Sequence, residues 1–287
     1  MNATLKTILL PLYLVLMAFN LHTAPGYAVD IVWEGVTYDD ETVSKLITVI
    51  TGTSYIHTHP DTKHIRPAQE SLYRIPAFAL CKKLIAFDGI YPQYRGTKEE
   101  DLYEQYKLNV MLLTDTDPYF TNTECVFCPW WMHLSGALRT AMDYVETPFV
   151  FVHQHDLRLQ KDFDLNGVIA TMVANPNIKY VNLWSGINSE SEWYNWPLDQ
   201  VIEGPHFVPL CRSFGWSDQC HIARADYYRE FVLPQCHYCF MEAVLNRAIK
   251  DSANELGRDE GHKPFGAYLY GDLSDGNYIY HSDGHNN

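Results

Sequence analysis

The stretch TPFVFVHQHDLRLQKDF, residues 147–163, decides how the rest of the chain is interpreted. A continuous apolar run at 149–152 follows Pro148 and leads directly into His-Gln-His-Asp at 153–156. Such a run predicts a strand buried on both faces, as in the middle of a parallel sheet. Ligands of open α/β sheets sit at the carboxyl ends of strands, so we expect these four polar residues at a binding site. In isolation the same pattern is typical of a capping aspartate beside ordinary loop histidines.

Composition and charge restrict the class of protein. With 287 residues, 47% hydrophobic and 20% charged, the chain suits one large α/β domain or two small ones. The formal charge of -14, from 21 basic and 35 acidic residues, argues against nucleic-acid binding. An anionic substrate would need a divalent cation, or a few basic side chains at the binding site, to offset the negative charge of the protein.

The N-terminal segment predicts entry into the secretory pathway. Residues 5–21, LKTILLPLYLVLMAFNL, hold one cation, Lys6, before an apolar core. That core is shorter than the about 20 residues of a spanning helix, so a signal peptide over 1–28 is favoured, with Gly-Tyr-Ala at 26–28 before the cleavage point. A membrane anchor, or an N-terminal helix of a cytosolic protein, is the alternative. The predicted location is the ER or Golgi lumen, membrane-anchored or secreted.

Cysteine usage leaves two alternatives open. There are seven cysteines, at positions 81, 125, 128, 211, 220, 236 and 239. In an oxidising lumen some of them are expected to pair. The Cys-x-x-Cys pairs 125/128 and 236/239 would otherwise suit a four-thiolate zinc site, although the gap between them is long for a zinc ribbon.

Strand and helix signals alternate through the first two thirds of the chain. Strands are predicted at 43–50, 83–87, 107–113, 149–152 and 179–184, and helices at 66–74, 99–106, 130–144 and 164–174. This alternation predicts an α/β fold, a Rossmann-like and mostly parallel sheet with helices on both faces. From residue 185 the pattern is less regular, with an aromatic stretch at 192–197, a helix at 240–249 and one last short strand near the end.

The order of these pieces resembles the GT-A glycosyltransferases, which bind a nucleotide-sugar across a Rossmann-like sheet with a divalent cation. The likeness covers residues 46–281. It rests on a strand opening into a Thr/Ser loop, a strand ending in Asp-Gly, an Asp-x-Asp-like site, a later helical Glu and a late His. It implies one domain, in which 43–184 bind the nucleotide-sugar and 185–287 form the acceptor-side, catalytic half.

The resemblance implies a nucleotide-binding loop and a metal site. The positions matching the nucleoside contacts are Thr51, Gly52, Thr53 and Asp88. Gln154, His155 and Asp156 match the Asp-x-Asp motif, with Gln154 in place of its first carboxylate. Asp156, His155 and the late His281 would then hold Mn²⁺ or Mg²⁺, and histidine favours Mn²⁺.

The resemblance also implies a catalytic base. Glu242 matches the carboxylate that takes the acceptor proton in inverting members, and Asp218 is the reserve. Without the resemblance, Glu242 is typical of a solvated helix charge. Arg212 and His221 are further candidates near the diphosphate.

The predicted function is therefore transfer of a sugar from a nucleotide-diphosphate donor to a glycan hydroxyl, with metal assistance and inversion. One alternative is a metal-dependent hydrolase that uses residues 153–156 and His281. The other is a non-catalytic carbohydrate-binding protein that uses its aromatic residues, 14% of the chain.

Overall fold

The computed structural model describes residues 31–189, 195–197 and 204–282. The predicted signal peptide or anchor, 1–28, and part of the aromatic stretch 192–197 lie outside the described residues. Within the described ranges, no helix has both the length and the apolar character that crossing a membrane would require. The secretory location stays a prediction.

The described strands and helices follow the predicted alternation. The strands are β1 (Ile31–Trp33), β2 (Val36–Tyr38), β3 (Ile47–Thr53), β4 (Lys82–Phe87), β5 (Thr123–Phe127), β6 (Phe149–Gln154), β7 (Leu157–Leu159), β8 (Tyr180–Asn182), β9 (Asn195–Pro197), β10 (Leu210–Ser213), β11 (His221–Arg224), β12 (Ala267–Tyr270) and β13 (Ile279–His281). The α-helices are α1 (Asp40–Ser44), α2 (Ile65–Leu72), α3 (Pro76–Leu80), α4 (Lys98–Thr116), α5 (His133–Met142), α6 (Leu165–Ala174), α7 (Ala225–Tyr227), α8 (Leu233–Gln235), α9 (Met241–Leu256) and α10 (Arg258–His262).

One nine-stranded sheet organises the molecule, in the order β5-β4-β3-β6-β11-β8-β12-β10-β9. All of these strands except β11 and β10 point the same way. The chain passes from β3 outward to β4 and β5 and then returns to β6 on the other side of β3. The strand order therefore reverses between β3 and β6, and ligands bind outside the carboxyl ends of strands at such a reversal.

Both faces of the sheet are covered by helices, as predicted. Val49 of β3 and Phe151 of β6 belong to a core that includes side chains of α3 and α6. Their neighbours Ile50 and Val152 point to the opposite core, with side chains of α5 and α9. Covering on both faces explains why the 149–152 run is uninterrupted by polar residues. The predicted fold class, a single α/β domain with a mostly parallel sheet, is confirmed.

The predicted strand at 107–113 is wrong, because these residues belong to α4. The residues that α4 buries are Tyr103, Tyr106 and Val110, at helical spacing. Leu108 and Leu112 in the apolar run are 59% and 61% exposed, so the run does not mark a core strand. The third parallel strand is β5 instead.

Two other boundaries differ from the prediction. The strand expected at 43–50 begins only at Ile47, because α1 precedes it, capped by Asp39, whose Oδ1 accepts a hydrogen bond from the Thr42 N–H at 2.7 Å. The end of the described chain forms two strands rather than one. Of these, β12 joins the main sheet and β13 pairs with β7 just beyond β6.

No disulfide bond joins any two of the seven cysteines, all of which lie in the described residues, so the expected disulfides are not formed. In the described part of the chain no cysteines group into a metal-binding set, so the four-thiolate alternative is not formed either. Burial raises the pKa of Cys81 and Cys125 to about 11, which keeps both thiols protonated and unreactive at neutral pH.

Candidate functional site

The ends of β3 and β6 are hydrogen-bonded to each other at the point where the strand order reverses. Gly52 pairs with Gln154 in register, and the His155 N–H donates to the Gly52 carbonyl at 3.1 Å. A Cβ on Gly52 would lie 2.5 Å from Leu134 Cδ1, the end of a flexible side chain of α5, so a larger residue there would require that side chain to move. The predicted contact of Gly52 with a nucleoside stays a prediction.

The two threonines of this loop use their hydroxyls inside the protein. Thr51 Oγ1 accepts a hydrogen bond from Gln69 Nε2 at 2.7 Å, and Thr53 Oγ1 is hydrogen-bonded to the Tyr106 hydroxyl at 3.0 Å. Both threonines are buried. Their part in nucleoside binding stays a prediction, and in this structure their side chains hold the loop in place.

Asp88 serves as a cap for α5. Its Oδ1 accepts hydrogen bonds from the N–H groups of Gly89, at 2.8 Å, and Met132, at 2.7 Å. Met132 precedes the first residue of α5 and supplies no side-chain cap of its own. Burial raises the pKa of Asp88. Its predicted contact with a nucleoside is untested, but its observed hydrogen bonds are structural.

Asp156 and His281 come together, although 125 positions separate them in the sequence. Pairing of β13 with β7 and a 2.8 Å hydrogen bond from the Ser282 N–H to the Asp156 carbonyl hold the two segments together. Asp156 Oδ2 lies 3.8 Å from His281 Nδ1. Asp156 Oδ1 is buried and accepts no hydrogen bond from the described residues.

A carboxylate with an unsatisfied buried oxygen beside an imidazole fits a divalent cation, since Mn²⁺ accepts both oxygen and imidazole nitrogen as ligands. Among the residues that the structure describes, no group of three or more His, Cys, Asp or Glu is arranged to hold a metal ion. The residues present therefore offer two ligands, Asp156 and His281. The predicted role of His155 as a third stays a prediction.

His155 lies beside an aromatic cluster at the end of β3. Its ring centre is 6.4 Å from that of His59, which in turn stacks on Tyr106 at 3.7 Å. Burial, followed by the neighbouring His155 and His64, lowers the pKa of His59 to about 3, so His59 is neutral at physiological pH. Sequence analysis did not identify this cluster.

The side chains of Arg212 and His221 are buried and make contacts within the protein. His221 is fully buried and its Nε2 is 2.5 Å from the Tyr228 hydroxyl. Arg212 is buried and donates to Asp259 at 2.7 Å. Their observed contacts are structural, and they do not support the predicted position near a diphosphate.

The two catalytic candidates form one network with Gln154. Gln154 Nε2 donates to the Asp218 carbonyl at 2.9 Å. Glu242 Oε2 accepts hydrogen bonds from Ser217 Oγ at 2.8 Å and from the Asp218 N–H at 3.4 Å. The loop before β11 thus links the end of β6 to the first turn of α9. A carboxylate at position 154 would repel Asp218 and Glu242, whereas an amide donates to this loop.

The carboxylates of Asp218 and Glu242 are electrostatically coupled. Burial, and then the charge of Glu242, raises the pKa of Asp218 to about 6. Two neighbouring carboxyl groups resist ionising together, so Asp218 retains its proton to higher pH than an isolated aspartate.

A cavity of about 340 Å³ opens beside Glu242. Its lining includes Asn182, Trp184, Trp216, Glu242 and Asn246. Apart from Glu242, these residues were not identified from the sequence, and neither was Ser217. The available signal was weak: Asn182 and Trp184 end the strand predicted at 179–184, and Ser217 directly precedes Asp218.

Replacing Asp218 by Asn is expected to stabilise the fold at alkaline pH and not at acid pH. The pKa of Asp218 is raised in the folded state, so its contribution to stability is present below its unfolded pKa and is lost as pH rises through about 6. At pH 8 the variant should gain about 3 kcal/mol in unfolding free energy, and at about pH 3, below the unfolded pKa of about 3.9, close to nothing. Urea denaturation at both pH values measures this, with exposed Asp115→Asn as the control. An equal change at both pH values would contradict it.

The fold and the site together define a Rossmann-like α/β protein with carboxylates gathered where the strand order reverses. No family model matches the sequence, and a search of curated proteins finds no match. A search of solved structures returns matches that include a mannosyltransferase.

Three of these structures illustrate the similarity. The mannosyltransferase PcManGT from Pyrobaculum calidifontis, in complex with GDP-Man and Mn²⁺, is 12% identical over 78% of this chain and 56% of its own, with a TM-score of 0.47. S. aureus TarS 1-349 is 12% identical over 82% of this chain and 60% of its own, at 0.46. GalNAc-T7 with UDP, GalNAc and Mn²⁺ is 6% identical over 78% and 42%, at 0.49. The matches thus span between 42% and 60% of these solved chains.

Proposed function

We propose that this protein is a glycosyltransferase that moves a sugar from a nucleotide-diphosphate donor to a glycan hydroxyl, with inversion at the anomeric carbon. One arrangement supports the proposal: residues 154–156, at the point where the strand order reverses, connect to the catalytic candidates through Gln154 and to the second candidate cation ligand through Asp156. Gln154 connects to Asp218 and Glu242 on one side, and two residues later Asp156 lies beside His281. Donor, cation and acceptor would then occupy one edge of the sheet.

Glu242 and Asp218 act on the acceptor in this proposal. As the acceptor hydroxyl attacks the anomeric carbon, its proton passes to Glu242, and the backbone N–H of Asp218 donates a hydrogen bond to that carboxylate. Ser217 fixes the orientation of the Glu242 carboxylate. A single displacement from the side opposite the leaving diphosphate inverts the anomeric centre.

Asp156 and His281 are the residues that would hold the cation. Bound Mn²⁺ or Mg²⁺ would supply charge neutralisation for the departing diphosphate. With a formal charge of -14, the protein otherwise repels an anionic donor, so a cation bridge serves binding as well as leaving-group departure.

A thermal-shift panel of nucleoside diphosphates, with and without Mn²⁺, tests the proposal. A matching nucleotide at about 100 times its Kd should stabilise the fold by about 2.7 kcal/mol, and therefore raise Tm by about 5 °C or more. EDTA should remove the effect, and the matching nucleoside monophosphate should show less of it. If no nucleotide stabilises the protein with either Mn²⁺ or Mg²⁺, the proposal is wrong, and phosphatase or esterase turnover would then support the hydrolase alternative.

A further inference from the structure

Two cysteines contact each other between α8 and α9. The chain bends through residues 237–239, where Tyr238 takes the left-handed backbone region with φ 48°. This bend brings the thiols of Cys236 and Cys239 into a hydrogen bond with each other. A disulfide forms only between cysteines whose Cα and Cβ atoms already lie close together. Two thiols in hydrogen-bond contact therefore need only a short approach to form the bond.

Both members of the pair are held by backbone hydrogen bonds. The Cys236 N–H donates to the Leu233 carbonyl at 3.3 Å, at the end of α8. The Cys239 N–H donates to Ser135 Oγ at 3.0 Å, and that hydroxyl donates to the Cys239 carbonyl at 3.1 Å. Because the backbone on each side is already fixed, bond formation costs little further conformational entropy.

The other Cys-x-x-Cys pair shows that the spacing alone does not create this contact. Cys125 lies on β5 and packs against the core that contains Ile85 and Phe87. Cys128 follows β5 and belongs to the core on the opposite face of the sheet. Side chains alternate in direction along an extended chain, so residues three apart point away from each other. The chain thus contains one pair of cysteines in contact and one pair held apart.

The two thiols in contact differ in their access to solvent. Cys236 is buried, whereas Cys239 is partly exposed. Burial, and then the neighbouring Cys239, raises the pKa of Cys236 to about 12, so this thiol stays protonated at neutral pH. An oxidant from solution therefore reaches Cys239 first, and Cys236 reacts only with the sulfur beside it.

We propose that Cys236 and Cys239 form a redox-active dithiol, which low-molecular-weight disulfides such as oxidised glutathione convert to an intramolecular disulfide. The Cys239 thiolate attacks one sulfur of the oxidant, forms a mixed disulfide and releases the first thiol. Cys236 then gives up its proton and attacks Cys239 Sγ, which releases the second thiol. Two protein thiols are oxidised and one disulfide of the oxidant is reduced. This chemistry involves only the two cysteines, so it is independent of the proposed transferase function.

The charge of Arg139 assists the second step. The Arg139 guanidinium donates to the Leu233 carbonyl, and its charge lowers the pKa of Cys236 against the larger effect of burial. Cys239 opposes ionisation of Cys236 while it is a free thiol. This opposition ends once Cys239 carries the mixed disulfide, so Cys236 becomes a better nucleophile at the stage that needs it.

Thiol trapping in glutathione buffers tests the proposal. The full chain is equilibrated with mixtures of reduced and oxidised glutathione, quenched in acid, alkylated under denaturing conditions and digested with trypsin. Peptide 230–247 contains Cys236 and Cys239 and no other cysteine, and peptide 108–139 contains only Cys125 and Cys128. In excess oxidised glutathione we expect the first peptide as an intramolecular disulfide and the second without one. Two alkylated thiols in the first peptide would overturn the proposal.

Single variants test the order of attack. Cys236→Ser should accumulate glutathione on Cys239, because no second thiol remains to release it. Cys239→Ser should take up at least about tenfold less glutathione at Cys236, because that thiol is buried. Cys125→Ser is the matched control and should form the 236–239 disulfide as the native chain does. Equal glutathione uptake by the first two variants would overturn the assigned order, and the trapping result in the native chain does not depend on how any variant folds.

Discussion

Glu242→Gln should reduce sugar transfer by about 10³-fold while leaving donor binding unchanged. General-base catalysis contributes about 10²–10⁴-fold, and an amide of the same shape cannot accept the acceptor proton. The glutamine oxygen can still accept from Ser217 Oγ, which now lies 2.8 Å from Glu242 Oε2, so the loop should keep its position. Product formation with the donor from the nucleotide panel measures the loss.

The matched control is Glu255→Gln, an exposed position near the end of the same helix. This variant should transfer sugar at the native rate. Nucleotide-dependent thermal shifts should be equal in the native chain and both variants. Full turnover by Glu242→Gln would mean that another group takes the proton, and Asp218, the reserve candidate, would then be tested in its place.

Asp156→Ala should abolish the metal-dependent part of nucleotide stabilisation. The substitution removes the one carboxylate of the candidate cation site and leaves His281 as a single ligand. We expect a loss of most of the about 2.7 kcal/mol that a saturating nucleotide contributes in Mn²⁺. Thermal shifts with Mn²⁺ and with EDTA should become indistinguishable in this variant. The Ser282 hydrogen bond to the Asp156 backbone carbonyl does not depend on the side chain, so the fold should persist.

Asp162→Ala is the control for this experiment. Asp162 is an exposed aspartate six residues further along, and its side chain pairs with Arg74 at 2.9 Å on the surface. Because exposed ion pairs contribute little, this variant should keep both its stability and its response to Mn²⁺. A native metal response in Asp156→Ala would exclude Asp156 as a ligand.

Local patterns were sufficient for the framework of the sheet. The uninterrupted run at 149–152 predicted β6 and its burial on both faces, and Lys-Leu-Ile-Ala-Phe at 83–87 predicted β4. The same reasoning failed at 107–113, because Leu108, Met111 and Leu112 are exposed and only Val110 of this apolar run in α4 is buried. A sequence window reports hydrophobicity but not which side of a helix meets the core.

Long-range contacts explain what the sequence could not predict at the site. Gln154 meets the loop of Asp218 across 64 positions, and Glu242 meets Ser217 across 25. Both contacts depend on an antiparallel β11 next to β6, which no local pattern indicates. The capping role of Asp88 likewise requires knowing that α5 begins beside the end of β4. The resemblance to GT-A glycosyltransferases predicted which residues would form the site. The topology of the sheet determines which of these residues contact each other.

The insertion of β11 between β6 and β8 governs how the chain can fold during synthesis. When the ribosome has completed residue 184, β6 and β8 exist but the strand that joins them has not been made. At that stage β6 has one unsatisfied edge and β8 has no partner on either side, and such edges are prone to pairing with other chains. The halves 43–184 and 185–287 are therefore not separable folding units, and the completed protein should unfold in one cooperative step.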